Sequence, residues 1–192
     1  MDYTKSGRLI KNLRKEKGFT QKQLADAIQV SDKTISKWER GQGCPDVSLL
    51  RALSETLGVD IEKILSGNLE VQRANSGNMS RIRFYVCPTC GNVITSAGKS
   101  DVSCCGRKLA PLVAKPRDNE HYLNIEKIEN DYYITFPHEM VKEHYIKFVA
   151  YVSIDRMLFV RLYPEQDGEL RMPIMAKGAF YFCCNKHGLW VN

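Results

Sequence analysis

The chain has 192 residues and carries 28 Lys and Arg against 22 Asp and Glu, a formal charge of +6. Hydrophobic residues make up 43% and charged residues 26%, which excludes wholesale disorder and allows two or three small domains. No apolar run approaches the roughly 18–20 residues that cross a bilayer, and the first residues lack the apolar core of a secretory signal. We therefore expect a cytoplasmic protein with no membrane partner.

The positive charge is concentrated at the start, where residues 1–43 hold ten Lys or Arg and five Asp or Glu. Residues 1–66 show apolar positions at helical spacing and no strand pattern. Gly18 is placed to end the first helix, while Thr20 and Ser31 are suited to begin the second and third. The sequence therefore predicts an all-α domain of five short helices over residues 1–66.

The second and third predicted helices are separated by a tight turn at Gln29-Val30, which is the pattern of a helix-turn-helix. The third helix is expected over residues 32–40. An alternative interpretation is a helical bundle in which this helix only presents a polar face to solvent. Trp38 and Ile35 are expected in the core, and Cys44 is interpreted as an ordinary loop residue.

The stretch FTQKQLADAIQVSDKTISKWERG, residues 19–41, resembles the Cro/repressor-like, xenobiotic-response-element (XRE) family, and the resemblance extends over about residues 6–66. It implies a third helix in the major groove of double-stranded DNA. By the matching positions, base edges would be contacted by Asp32, Lys33, Thr34 and Lys37. Phosphates, which supply most of the affinity, would be contacted by Gln21, Ser31 and Arg40.

Small and polar residues over 67–82 show no persistent periodicity and predict a linker. Beyond it, Cys87-Pro-Thr-Cys90-Gly is followed by Cys104-Cys105-Gly. Disulfides do not persist in a cytosolic chain, so clustered cysteines indicate a metal or redox site. Four thiolates suit tetrahedral zinc or a single iron, and with few apolar neighbours the metal must supply folding free energy.

This pattern resembles the small ferric desulforedoxin module that begins the two-iron desulfoferrodoxins. The resemblance implies a domain over residues 83–116 in which Cys87, Cys90, Cys104 and Cys105 hold iron, with zinc as the alternative.

From about residue 117 the sequence becomes strand-like, with β-branched and aromatic runs separated by polar breaks. The expected strands cover residues 132–136, 145–152, 157–162 and 178–183. Short strands at this spacing predict a β-sandwich over 117–192, of immunoglobulin-like architecture.

All four histidines lie in this last region, and His187 follows Cys184 at ligand-like spacing. His138 and His144 flank one short loop. Four neutral imidazoles and one thiolate form a mid-soft ligand set suited to iron.

The pieces around these residues resemble the catalytic domain of superoxide reductases, the desulfoferrodoxin and neelaredoxin family, and with the four-cysteine module the resemblance covers about residues 83–192. It implies a second, ferrous iron with four equatorial histidines, an axial cysteine and an open position for superoxide, and an electron donor such as rubredoxin. The ligands would be His121, His138, His144, His187 and Cys184. Cys183 is then a neighbouring core residue, although a one-residue ambiguity between the two cysteines stays open.

Two residues before the first histidine ligand differ from the usual pattern of this family. Its members usually place Glu-Lys just before the first histidine ligand, whereas this chain has Asn119 and Glu120. An acidic residue there repels superoxide instead of attracting it. Compensation would have to come from Lys142, Lys147 or Lys186.

Three functions are consistent with these sequence features. The first is a transcription regulator, active in oxidative stress, whose iron domain senses superoxide or iron status; the second is a superoxide reductase with an appended DNA-binding module. The third is a regulator with a zinc-stiffened, inert tail. Because both families commonly pair, we expect a homodimer that binds a near-palindromic operator.

Overall fold

The computed structural model describes residues 2–69 and 79–192, and the chain divides into two compact units, residues 1–72 and 73–192. The first unit is helical and the second is built of β-strands. Among the described residues, no helix combines the length and the apolar character that a membrane span requires.

Five α-helices form the first unit, which confirms the predicted helical domain: α1 Tyr3–Glu16, α2 Gln21–Ala27, α3 Asp32–Glu39, α4 Val47–Leu57 and α5 Ile61–Ser66. Their starts follow from local side-chain caps. Thr20 and Gln23 form a reciprocal capping box at α2, and Ser31 Oγ accepts from the amide of Thr34 at α3. Helix α3 is one residue shorter than predicted, because Arg40 is its C-cap.

The apolar faces of these helices meet in one core that contains Ile10, Leu24, Ile35, Leu53 and Ile64, all fully buried. Helix α1 lies tightly against the end of α3. A Cβ atom at position 7 would lie 2.0 Å from the carbonyl oxygen of Trp38, so only glycine fits there. The core therefore fixes α3 with its polar face outward.

The second unit begins with a 3₁₀ turn, Met79–Arg81, and twelve strands follow among the described residues. Two hairpins come first, β1 Arg83–Val86 with β2 Val93–Ser96, and β3 Val102–Cys104 with β4 Arg107–Leu109. A five-stranded sheet has the order β5-β12-β11-β8-β9 and a three-stranded sheet the order β10-β7-β6. Their bounds are β5 Lys115–Pro116, β6 Asn124–Ile128, β7 Asp131–Thr135, β8 Ile146–Ser153, β9 Met157–Arg161, β10 Glu169–Pro173, β11 Gly178–Cys184 and β12 Gly188–Val191.

Both larger sheets contribute to one apolar cluster, in which Ile134 and Met172 of the small sheet meet Val149 and Phe182 of the large one. A second cluster joins the first hairpin to the large sheet, with the rings of Phe84 and Phe148 stacked 5.3 Å apart. The four-cysteine segment therefore shares a core with the strands that follow it.

The C-terminal end of the predicted linker belongs to this unit. The amide of Met79 donates to the carbonyl of Ile154 at 2.9 Å, and Ile82 packs against the second cluster. Residues 70–78 of that predicted linker lie outside the described residues.

Candidate metal centres and nucleic-acid interface

The first candidate site is formed by two turns. Cys87 follows β1, and Gly91, at φ +68°, donates its amide to the carbonyl of Cys87. Cys104 ends β3, and the turn Cys105-Gly106 has positive φ at both residues, the conformation of a two-residue hairpin. The two turns bring the sulfur atoms of the four cysteines close together.

These four sulfurs lie within 4.8 Å of one another, and Cys104 Sγ is 3.6 Å from Cys90 Sγ and 4.0 Å from Cys105 Sγ. Thiolates bound about 2.3 Å from a tetrahedral ion are about 3.8 Å apart, so the set fits such an ion. The amides of Cys90 and Thr89 lower the pKa of Cys87 to about 6. The crowded thiols raise the pKa of Cys105 to about 12, a repulsion that a bound cation relieves.

The second candidate site gathers residues from four places in the unit. His121 precedes β6, His138 and His144 lie between β7 and β8, Cys184 ends β11, and His187 lies in the turn before β12. A β-bridge between Val141 and His144 closes a tight turn in the segment between β7 and β8.

The ligand atoms of these five residues also lie within 4.8 Å of one another. His187 Nδ1 is 2.9 Å from His121 Nε2, 3.2 Å from His144 Nε2 and 3.5 Å from Cys184 Sγ. Two nitrogens about 2.1 Å from a metal and at right angles are about 3 Å apart, so the imidazoles are spaced as neighbouring ligands.

The surroundings of His138 show most directly whether these five residues fit a metal ion. Its Nδ1 lies 2.6 Å from the carbonyl of Glu139, but its Nε2 is buried with no hydrogen-bond partner among the described residues. Burial lowers the pKa of both His138 and His187, which favours the neutral imidazole that binds metals. A buried, unpartnered imidazole nitrogen beside four other ligand atoms fits a metal centre.

Three further residues, none of which was predicted from the sequence, orient the histidines. Asp118 Oδ1 lies 3.2 Å from His121 Nδ1, and Glu139 Oε2 lies 3.1 Å from His144 Nδ1. The ring of Trp190 stacks on His121 with centroids 4.4 Å apart. Carboxylates of this kind hold the other imidazole nitrogen toward a metal. An Asp three residues before a candidate histidine was the one available signal.

The two adjacent cysteines have different surroundings. Cys184 belongs to the five-residue cluster, whereas Cys183 packs with Phe84, Phe148 and Leu189 in the second apolar core. Burial raises the pKa of the Cys183 thiol to about 12. Consecutive strand residues point to opposite faces, which separates the two sulfurs.

In the first unit, six of the seven residues predicted to contact DNA lie on α3 or at its ends, and the seventh, Gln21, begins α2. Asp32, Lys33, Lys37, Ser31 and Arg40 are exposed, and Thr34 is half-buried. Gln21 donates its side-chain amide to Glu39 Oε2 at 2.8 Å. Its contact with phosphate stays a prediction.

Comparison with known proteins assigns both parts. A family model described as helix-turn-helix matches residues 10–64. The HTH-type transcriptional activator BcrR of Enterococcus faecalis is 38% identical over 74 residues, 38% of this chain and 36% of that protein. The desulfoferrodoxin homolog of Archaeoglobus fulgidus is 26% identical over 118 residues, 57% of this chain and 94% of that protein. The superoxide reductase of Treponema pallidum has a similar fold, with a TM-score of 0.52 at 19% identity over 58% of this chain and 96% of that one.

The chain is an XRE-family helix-turn-helix domain fused to a desulfoferrodoxin-like domain. Both resemblances predicted from the sequence are thereby confirmed. The chain spans only about a third of the length of BcrR, the first of these relatives.

The surroundings of the five-ligand site in the desulfoferrodoxin-like domain are acidic. A cavity of about 410 Å³ reaches His121, His138 and His144, and Glu120 and Glu139 line it, with no lysine among its described lining residues. Lys142 lies 3.6 Å from Glu165 in an ion pair. Lys115, which is not one of the three lysines considered above, lies nearby, because its Nζ donates to the carbonyl of His187 at 3.0 Å.

The contact between Glu139 and His144 gives a direct test of the desulfoferrodoxin-like site. Glu139→Ala is expected to lower iron affinity roughly 10–100-fold, because His144 loses the carboxylate that orients it. Glu143→Ala, in the same loop, is the matched control and should retain wild-type affinity. Competition with a calibrated chelator measures both. Equal affinities for the two variants would show that Glu139 does not orient the ligand.

Proposed function

We propose that the protein is a cytoplasmic, DNA-binding transcription regulator whose desulfoferrodoxin-like domain binds iron and senses superoxide. One observation carries the proposal: a single chain combines a repressor-like helix-turn-helix with the convergent atoms of four histidines and one cysteine. On this proposal, the exposed polar residues of α3 contact an operator, and the oxidation state of the second unit alters that binding.

The metal ligands follow from the two clusters. Cys87, Cys90, Cys104 and Cys105 hold one iron, with zinc as the alternative, and His121, His138, His144, His187 and Cys184 hold the other. Ferrous iron held there would supply one electron to superoxide, which with two protons becomes hydrogen peroxide. The Cys184 thiolate would donate electron density to that metal, as thiolates do in haem proteins. Asp118 and Glu139 keep their imidazoles in the metal-binding tautomer.

The charge at the site favours sensing over rapid turnover. Superoxide is an anion, and the carboxylates of Glu120 and Glu139 at the cavity lower its local concentration. A sensor needs only occasional oxidation of its iron, whereas an efficient reductase needs rapid substrate capture.

The second candidate function is superoxide reductase activity with an appended DNA-binding module. The complete five-ligand set favours it, as does alignment over 94% of a desulfoferrodoxin homolog. This function requires an electron donor, such as rubredoxin, to restore the ferrous iron after each turnover.

Two measurements on the iron-loaded chain separate these functions. Stopped-flow spectroscopy follows superoxide consumption, and fluorescence anisotropy follows binding to a duplex selected by the chain from a random library. Slow consumption with binding that changes between oxidation states supports the sensor. Rapid consumption with the same DNA affinity in both states supports the enzyme and overturns the sensor.

Lys37 on α3 provides the test of the proposed DNA interface. Lys37→Ala is expected to weaken binding to the selected duplex by about 1–3 kcal/mol if the ammonium contacts a guanine edge. Lys15→Ala removes an exposed lysine of α1 and is the matched control, expected to change affinity less than about 2-fold. Anisotropy titrations at one salt concentration compare the variants. An equal loss in both would indicate general charge attraction and contradict the base-edge role.

Two finer assignments belong to the same proposal. The two larger sheets form an immunoglobulin-like sandwich, supported by the apolar cluster to which both contribute. The chain acts as a homodimer on a near-palindromic site, which light scattering of the free and DNA-bound protein tests.

A further inference from the structure

Lys115, on β5, is attached to the five-ligand site by two contacts. Its Nζ donates to the carbonyl of His187 at 3.0 Å, and its ammonium lies 5.0 Å from the centre of the Trp190 ring. Lys115 and Trp190 are direct partners in the parallel pairing of β5 with β12, so their side chains emerge on the same face of the sheet. The Trp190 ring in turn stacks on His121, with centroids 4.4 Å apart. The ammonium is therefore linked to two of the five candidate ligands.

Three carboxylates surround the same site. Asp118 and Glu139 each contact a histidine, and Glu120 lines the cavity. Negative charge close to a metal stabilises its more oxidised state, and positive charge has the opposite effect, because like charges repel. The charge of Lys115 therefore opposes that of these carboxylates.

The ammonium of Lys115 is held in a defined position. A lysine side chain is flexible, and an exposed lysine usually presents a strongly hydrated charge that salt screens. In Lys115 the same group donates to a carbonyl and lies over an indole ring, which is a cation–π contact. A charge held in this way acts on a bound metal from a constant distance.

We propose that Lys115 sets the redox poise of the five-ligand site, its ammonium stabilising the ferrous state of the iron. The inference rests on the proposed function and deepens it, because ferrous iron is the state that gives an electron to superoxide. In that step the iron loses one electron and becomes ferric, which adds one positive charge that the nearby ammonium repels. Lys115 itself exchanges no electron, no proton and no bond.

This role differs from attraction of superoxide to the site. A charge that only attracts the anion changes the rate of superoxide consumption and leaves the equilibrium between the two oxidation states unchanged. A charge that stabilises ferrous iron changes that equilibrium even when no superoxide is present. The ratio of ferrous to ferric iron at a fixed potential is therefore the quantity to measure.

Three variants of the full chain separate the charge of Lys115 from its contacts. Lys115→Met removes the charge and the hydrogen-bond donor, Lys115→Gln removes the charge but retains a donor, and Lys115→Arg retains both. The matched control is Lys177→Met, which removes the same charge from an exposed lysine. Lys177 directly precedes β11 and Cys184 ends it, so the control lies roughly 20 Å from the site.

Redox titration of the iron-loaded chains at low salt, followed by the absorption of the five-ligand iron, measures the ratio. We expect Lys115→Met and Lys115→Gln to lower the ferrous-to-ferric ratio about 10-fold, which for a one-electron couple is a potential about 59 mV more negative. Lys115→Arg and Lys177→Met should stay within about 2-fold of the wild type. The difference should shrink as salt is added, since salt screens an exposed charge.

A wild-type ratio in Lys115→Gln overturns the inference, because the charge is then not the cause. Equal changes in Lys115→Gln and Lys115→Arg, or in Lys115→Met and Lys177→Met, also overturn it. If Lys115→Met fails to retain iron, Lys115→Gln and Lys115→Arg still separate charge from contact. A wild-type chain without absorption from the five-ligand site refutes the proposed iron loading. Iron-loaded variants that all share the wild-type potential refute only the role of Lys115.

Discussion

Cys184→Ala is expected to abolish the visible thiolate-to-iron absorption of the five-ligand site, whereas Cys183→Ala should leave that absorption unchanged. Cys184 Sγ lies 3.5 Å from His187 Nδ1 within the ligand cluster. Cys183 instead packs in the apolar core with Phe84 and Phe148. The neighbouring substitution is therefore a matched control that removes the same thiol one position away.

The size of the effect follows from the thiolate's role. Without Cys184 no sulfur remains among the five ligands, so the charge-transfer band has no donor. Loss of a ligand should also lower iron affinity more than the roughly 10–100-fold typical of an orienting contact. Cys183→Ala removes only a buried thiol and should cost about 1 kcal/mol of stability.

Absorption spectra and iron analysis of the two variants measure these outcomes. The spectrum of the four-cysteine iron should survive in both, since its ligands lie in a different part of the unit. A band that disappears in Cys183→Ala and persists in Cys184→Ala would show that Cys183, and not Cys184, is the sulfur ligand. Loss of both iron spectra together would contradict two independent sites.

The helical unit was predictable from the sequence because its signals are local. Caps at Thr20 and Ser31 and the glycine after α1 depend on neighbours within four residues, and the apolar spacing fixes the buried faces. Strands β7, β8, β9 and β11 were predicted within one residue at each end, because β-branched and aromatic runs mark them.

Strands β6 and β10 were not predicted, because their half-polar sequences become strands only by pairing with neighbouring strands of the sheet. Glu169–Pro173, for example, pairs with β7 across more than thirty residues. The same limit applies to the site. The histidines and Cys184 could be named by resemblance, but the contacts of Asp118 and Glu139 depend on loop conformation. The sequence also gave no indication that Gln21 would turn toward Glu39.

The second large effect is expected from the buried hydrogen-bond network of Arg14, Gln21 and Glu39. Arg14 Nε and Nη2 donate to both carboxylate oxygens of Glu39, at 2.5 and 3.0 Å, and the two side chains are only 9% and 3% exposed. Arg14→Met is expected to destabilise the helical unit by about 3–5 kcal/mol, because it leaves the Glu39 carboxylate buried without its cation. Arg51→Met, which breaks an ion pair with side chains 86% and 66% exposed, is the matched control and should cost less than about 1 kcal/mol.

The pH dependence of the network provides an independent measurement. Burial raises the pKa of Glu39, but hydrogen bonds from Arg14 and Gln21 outweigh it, so the pKa lies below its ordinary value. A lowered pKa in the folded state means that the stabilisation is complete above the ordinary pKa of glutamate and is lost as the pH falls through the lowered value.

Urea unfolding followed by circular dichroism at 222 nm reports this unit, since the described α-helices all lie in it. If Arg14→Met and Arg51→Met unfold at the same urea concentration, the ion pair does not stabilise the unit. If the double variant Arg14→Met/Glu39→Leu regains most of the lost stability, the cost of Arg14→Met arises from the unpaired carboxylate and not from lost packing.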